Sequence, residues 1–139
     1  MDPSSHREVA VAADNRCWES LELACRTPDG DIELLTSAFA TRYHWTFVGG
    51  PVETICASSM ISRAAAALGE GTLAVAYAKR ANTEAREPRV DDWLVASTAE
   101  GLARAYAAIR IQELRDEWCA IADDEDRELF ASQLATAPR

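Results

Sequence analysis

Only two histidines, His6 and His44, occur in 139 residues. With no H-E-x-x-H pair, a zinc centre of converging ligands has little to be built from. No G-x-S-x-G elbow is present either, so serine nucleophile chemistry lacks its local signature. The four cysteines, Cys17, Cys25, Cys56 and Cys119, contain no C-x-x-C pair. Cys17 and Cys25 on one helix would stand about 12 Å apart at about 1.5 Å rise per residue, beyond disulfide reach. They are expected to be reduced and to act as small apolar residues on helix faces. Cations are scarce, with 14 Lys and Arg against 23 Asp and Glu and a formal charge of −9. Nucleic acid is therefore not an expected partner, because a phosphate backbone is gripped by clustered cations. No apolar run approaches the roughly 20 residues of a membrane-spanning helix, and the N-terminal residues through His6 lack the basic and apolar stretches of a secretion signal. The expectation is a cytoplasmic protein with no membrane contact, no cofactor and no bound metal.

What the chain has is apolar content, 48% of its residues, enough for one domain to bury a core without staples. Pro3, Pro28, Pro51, Pro88 and Pro138 fall where helices start or stop, and Gly30, Gly49, Gly50, Gly69 and Gly71 share those gaps. A first helix is predicted from Ser5 to Cys25, with Val11, Trp18, Leu21 and Cys25 as its apolar stripe. Thr27 reads as an N-cap, with Pro28 at the first helical position and Asp29 and Asp31 where the helix dipole favours negative charge. The second helix puts Ile32, Leu35, Phe39, Tyr43 and Thr46 on one face, with Ala38 and Trp45 beside it, and ends at Gly49-Gly50.

A third helix runs from Pro51 to Leu68 through Val52, Ile55, Cys56, Met60 and Ala67. A fourth begins at Thr72, carries Leu73, Ala74, Tyr77, Ala78 and Ala81, and stops before Pro88. A fifth from Val90 buries Leu94, Val95, Ala99, Leu102, Ala103 and Tyr106, with Gly101 as its weak point. A sixth from Ile111 carries Leu114, Trp118 and Ile121, and the acidic run 123–126 caps a short seventh holding Leu129, Phe130 and Leu134. That acidic run lacks the spacing of a calcium loop and reads as a solvated helix start. No stretch alternates like a strand.

Short links make neighbouring helices antiparallel hairpins, so the fold class is all-α, a single domain over 1–139 with loose ends at 1–5 and 136–139. Ala64 to Ala67 facing Ala74, Ala76, Ala78 and Ala81 let the third and fourth helices approach closely. The segment 61–88 resembles a tetratricopeptide repeat, whose period is about 34 residues. That resemblance implies a right-handed stack of six to seven helices. Ile109-Arg110 stands where the next repeat would have its glycine turn, which makes the fifth and sixth helices candidates for one partly continuous rod. The whole chain is similar to a family of small, functionally unassigned bacterial proteins with tetratricopeptide-like folds. The similarity rests on Asn15-Arg16 before Trp18, Tyr43-His44-Trp45, Leu68-Gly69 and Asp126-Arg127-Glu128-Leu129-Phe130, and it implies a fold without an activity.

Two groups of residues are candidates for function. Tyr43-His44-Trp45 closes the second helix, where the dipole favours a protonated imidazole and the rings offer stacking surfaces. The bland alternative points the two rings into helix contacts and leaves His44 on a carbonyl of the last turn. Arg63, Tyr77, Glu100 and Arg104 form the other group, a possible groove on a concave face or an ordinary solvated one. The expected function is a non-enzymatic interaction module that binds a protein, a peptide or a second copy of itself through helical faces. The alternative is a small-molecule binder or enzyme with a pocket near Tyr43, His44, Trp45 and Arg63.

Overall fold

Five helices are formed in the computed structural model, which describes residues 1–87, 90–121, 128, 131, 132 and 135. They are α1 (Pro3–Glu22), α2 (Pro28–Val48), α3 (Pro51–Ala67), α4 (Gly71–Ala85) and α5 (Asp92–Ile121). No strand occurs among the described residues, and no helix among them is long and apolar enough to cross a membrane. Three helices open on proline, which lacks the N–H that a first turn cannot satisfy. Asp2 caps α1 by accepting from the Ser5 N–H at 3.0 Å. Thr27 caps α2 as expected, its hydroxyl accepting from the Gly30 N–H at 3.1 Å. At α3 the Gly50 N–H donates to the Glu53 carboxylate at 2.9 Å. That helix ends on a left-handed Gly69 at φ 77°. The Gly69 N–H returns to the Ala66 carbonyl and the Glu70 N–H to that of Ala65, the paired bonds of a Schellman stop.

Boundaries differ from expectation at two places. α1 starts at Pro3 and ends at Glu22, which leaves Cys25 past its end. The fifth and sixth helices expected from sequence are one rod of 30 residues, because Ile109-Arg110 holds neither glycine nor proline to break the hydrogen-bond ladder. The six or seven expected helices thus become five among the described residues. Pro88, the acidic run 123–126, Leu129, Phe130, Leu134 and the tail 136–139 lie outside the described residues.

Each helix packs on the next, and α3 also meets both α1 and α5. The interior is built largely from small side chains. Cys17, Leu34, Ala38, Met60, Ile61 and Ala64 form one cluster across α1, α2 and α3. Ala65, Ala74, Val75, Ala78 and Ala105 form a second across α3, α4 and α5. Ile55, Ala81, Ala85 and Leu94 form a third. The close α3–α4 approach expected from their alanines is present: the Ser62 hydroxyl reaches the Ala74 carbonyl at 2.8 Å. Ala76 takes no part in it and is exposed.

The buried faces of α1 and α2 are not the predicted ones. α1 buries Ala10, Ala13 and Cys17, and α2 buries Leu34, Ser37, Ala38 and Thr41. Thr41 donates to the Ala10 carbonyl at 3.4 Å, and the Cys17 sulfur lies 3.9 Å from that of Leu34. Such side-chain-to-backbone contacts across the seam need the two rods close together, which Trp18 or Phe39 in the seam would prevent. On α3 Val52 and Cys56 are exposed, and on α5 Ala99, Ala103 and Tyr106 are exposed while Thr98 and Ala105 are buried.

Two glycines should respond oppositely to substitution. The Gly71 N–H donates to the Gln112 side-chain oxygen at 2.8 Å, and a Cβ there would stand 2.4 Å from the Ile109 Cα. Gly71→Ala is expected to cost about 1–3 kcal/mol by forcing α4 and α5 apart. Gly101 lies in mid-helix with open space around it, so Gly101→Ala should gain about 0.5–1 kcal/mol. Urea unfolding of the two variants measures both, and a Gly71→Ala chain as stable as the parent would show that these helices do not meet as described.

Candidate functional site

The residues displaced from the core gather on the outward side of α2. At about 100° per residue, Ile32, Leu35, Phe39, Tyr43, Thr46 and Phe47 fall within an arc of about 120°, opposite the buried arc of Leu34, Ala38 and Thr41. Four of them are well exposed: Ile32 at 63%, Tyr43 at 59%, Phe47 at 55% and Phe39 at 39%. Charged residues are absent from this arc over about 23 Å of helix, at about 1.5 Å per residue. Phe39 meets the edge of Tyr77 on α4, with ring centroids 5.7 Å apart.

The carboxyl end of this stripe is held by α1. His6, expected in a loose N-terminus, sits in the first helix turns and brings its Nδ1 to 2.9 Å from the Nδ1 of His44. One imidazole donates and the other accepts, which requires at least one to be neutral. The His6 ring stacks on Phe47 at 4.3 Å between centroids, and Tyr43 stands edge-on to both His44 and Phe47. Trp45 faces the other way and receives the Arg7 guanidinium over its ring at 5.4 Å. Loss of solvent pushes His6 below its ordinary value of 6.5, with the neighbouring His44 and the terminal amine adding to that and Asp2 opposing it.

The second predicted group divides. Arg63 lies over the Trp18 ring at 5.1 Å. Desolvation lowers its pKa first, nearby Arg104 next, and Glu100 acts against both. Arg104 in turn donates to the Glu100 carboxylate one turn away. Arg63, Glu100 and Arg104 thus share one electrostatic neighbourhood on α3 and α5, with Trp18 of α1 at its edge. Tyr77 goes instead to the α2 side, packed on Phe39 and against the cluster around Ala38 and Ala64.

An open cleft of about 670 Å³ lies at the α2–α3 turn. Gly49, Gly50, Pro51, Thr54, Glu84 and Glu87 line it, and Tyr43, His44, Trp45 and Arg63 do not. Among the described residues no three His, Cys, Asp or Glu side chains converge as metal ligands.

No family model, curated protein or solved structure matches the chain.

Sequence reasoning missed three residues here. His6 is 38 positions from His44, and nothing local announces their meeting. Trp18 was placed in the core, and Phe47 was left out of the α2 stripe. A clue existed in the second, smaller stripe of α2, Leu34, Ser37, Ala38 and Thr41, which matches Ala10, Ala13 and Cys17 in size.

Two solution measurements follow. The folded chain keeps His6 neutral where the unfolded chain would protonate it, so this stability is present above pH 6.5 and declines as pH falls below it. In an NMR titration His6 should have its midpoint below 6.5, and His44→Gln should raise it. A His6 midpoint at or above 6.5 in the parent chain rejects the pairing. Burial, helped by Asp14, pushes the Cys17 thiol up to about 11. Alkylation at neutral pH should therefore label exposed Cys25 quickly and Cys17 only on unfolding, read by peptide mass mapping. Equal labelling of the two in the folded chain would contradict the α1–α2 seam.

Proposed function

We propose that this chain is a non-enzymatic, cytoplasmic interaction module that holds a protein, a peptide or a second copy of itself against a helical face. The observation that carries the proposal is the outward α2 stripe of Ile32, Phe39, Tyr43 and Phe47. Leaving one such side chain in water forgoes about 1.5–3 kcal/mol relative to full burial. The stripe is continuous and free of charge in a chain whose residues are 27% charged. Contiguous apolar surface of this kind, rimmed by polar groups, marks a place where another molecule sits.

The packing order supports a tetratricopeptide-like, right-handed array as its scaffold. α1, α3 and α5 touch in series, and α2 and α4 alternate between them. This is how helix pairs stack in such repeats, and it agrees with the resemblance to the small bacterial family. On that reading Trp18, Arg63, Glu100 and Arg104 belong to the face shared by the odd helices, where they would meet charged groups of a bound peptide. A small-molecule pocket built from Tyr43, His44, Trp45 and Arg63 has less support, because Arg63 packs on Trp18 and the nearest cleft is lined by other residues.

Photo-crosslinking tests the surface. A benzophenone amino acid in place of Tyr43 should give a discrete adduct with a protein in living cells, and Phe39→Asp in the same chain should abolish it. The probe in place of exposed Ala76 on α4 provides the background. Adducts from position 43 no stronger than from position 76 would overturn the proposal.

A further inference from the structure

The charges around the α2 stripe are arranged so that the stripe complements itself. Asp29 and Glu33 lie at the amino end of α2, on the same flank of the stripe as Phe47 and His44 at the carboxyl end, with His6 stacked on Phe47. One end of that flank is acidic and the other carries imidazole. Two such helices laid antiparallel about a two-fold axis bring like flanks together, so the acidic end of each copy meets the imidazole end of the other. Parallel packing would put acid against acid and imidazole against imidazole.

The apolar register agrees with the charges. The stripe from Ile32 to Phe47 is centred on Phe39, and antiparallel pairing there sets Phe39 on Phe39 of the second copy. It also sets Leu35 on Tyr43, and Ile32 beside Thr46 and Phe47. Larger rings then face smaller or aliphatic side chains on both sides of the axis, the complementarity an interface core requires. A different partner would have to carry this alternation of charge and size on its own surface. A second copy carries it by construction.

We infer that the chain forms a two-fold dimer in which the outward faces of α2 from two copies pack antiparallel across Phe39. This rests on the reading of the α2 stripe as a docking surface and names its occupant.

Sedimentation velocity of the purified full chain across a micromolar dilution series reads the association directly. The parent should pass from monomer to dimer as concentration rises. Phe39→Asp, which places two carboxylates at the axis, should weaken association at least about a hundredfold. Glu33→Lys, which sets an ammonium beside the imidazoles, should weaken it by about tenfold. Trp93→Asp, at an exposed α5 position, should leave it unchanged. Circular dichroism of each variant separates lost association from lost helix, and Glu33→Lys, an exposed polar change, keeps the test valid if Phe39→Asp unfolds. A parent that stays monomeric throughout, or Trp93→Asp as damaging as Phe39→Asp, overturns the dimer. If the parent is monomeric while position 43 crosslinks to a different protein, the second copy is wrong and the docking surface stands. A monomer with no adduct removes both.

Discussion

Close approach of helix backbones is the constraint on which this molecule depends. The Ser62 hydroxyl reaches the Ala74 carbonyl, Thr41 reaches that of Ala10, and a Cβ on Gly71 would collide with Ile109. Seams this narrow admit alanine, serine, threonine, cysteine and glycine, and few larger side chains. Each alanine buries little area, so stability must come from many short contacts at high packing density rather than from a few large anchors. Polar groups drawn into such seams need partners. Asn82 meets this by donating to Thr98 at 3.2 Å, while Thr98 donates to the Val95 carbonyl.

The same constraint decides the surface. When small residues occupy the seams, the large apolar residues of the same helices must point elsewhere. On α2 the two faces are nearly opposite, so Phe39, Tyr43 and Phe47 are carried to the outside by the packing that buries Ala38 and Thr41. On α1 the same division buries Cys17 and leaves Trp18 as a platform for Arg63. The functional surface is therefore the complement of the core, set by one choice of seam.

This explains what was legible in the sequence and what was not. Helix starts at Pro28 and Pro51, the Thr27 cap, the Gly69 stop and the α3–α4 alanine contact are local chemistry, and each is found where the sequence puts it. The identity of the buried face is not local. α2 carries two stripes, and ranking them by hydrophobicity selects Phe39 and Tyr43, whereas the structure selects the stripe whose size matches Ala10, Ala13 and Cys17 on the neighbouring helix. Mutual fit outweighs the transfer free energy of any single side chain, because a large residue in the seam would separate every contact along it. The His6–His44 pairing is a second non-local outcome, since it needs both the antiparallel α1–α2 hairpin and its register. Arg63, Glu100 and Arg104 were legible as a group because α3 and α5 are aligned by the stack, while Tyr77 was assigned to them without knowledge of which way α4 turns.

Charge adds the last step. A formal −9 keeps copies of the chain apart in dilute solution, a repulsion screened beyond about 10 Å at 0.1 M salt. That field acts weakly on the outward arc of α2, where no charged residue stands, and the carboxylates nearest it are grouped at one end. A surface with these properties resists adhesion everywhere except along one helix, and there it favours one orientation of approach. The narrow seams of the core and the single sticky helix outside it are thus two consequences of the same distribution of small and large residues along α2.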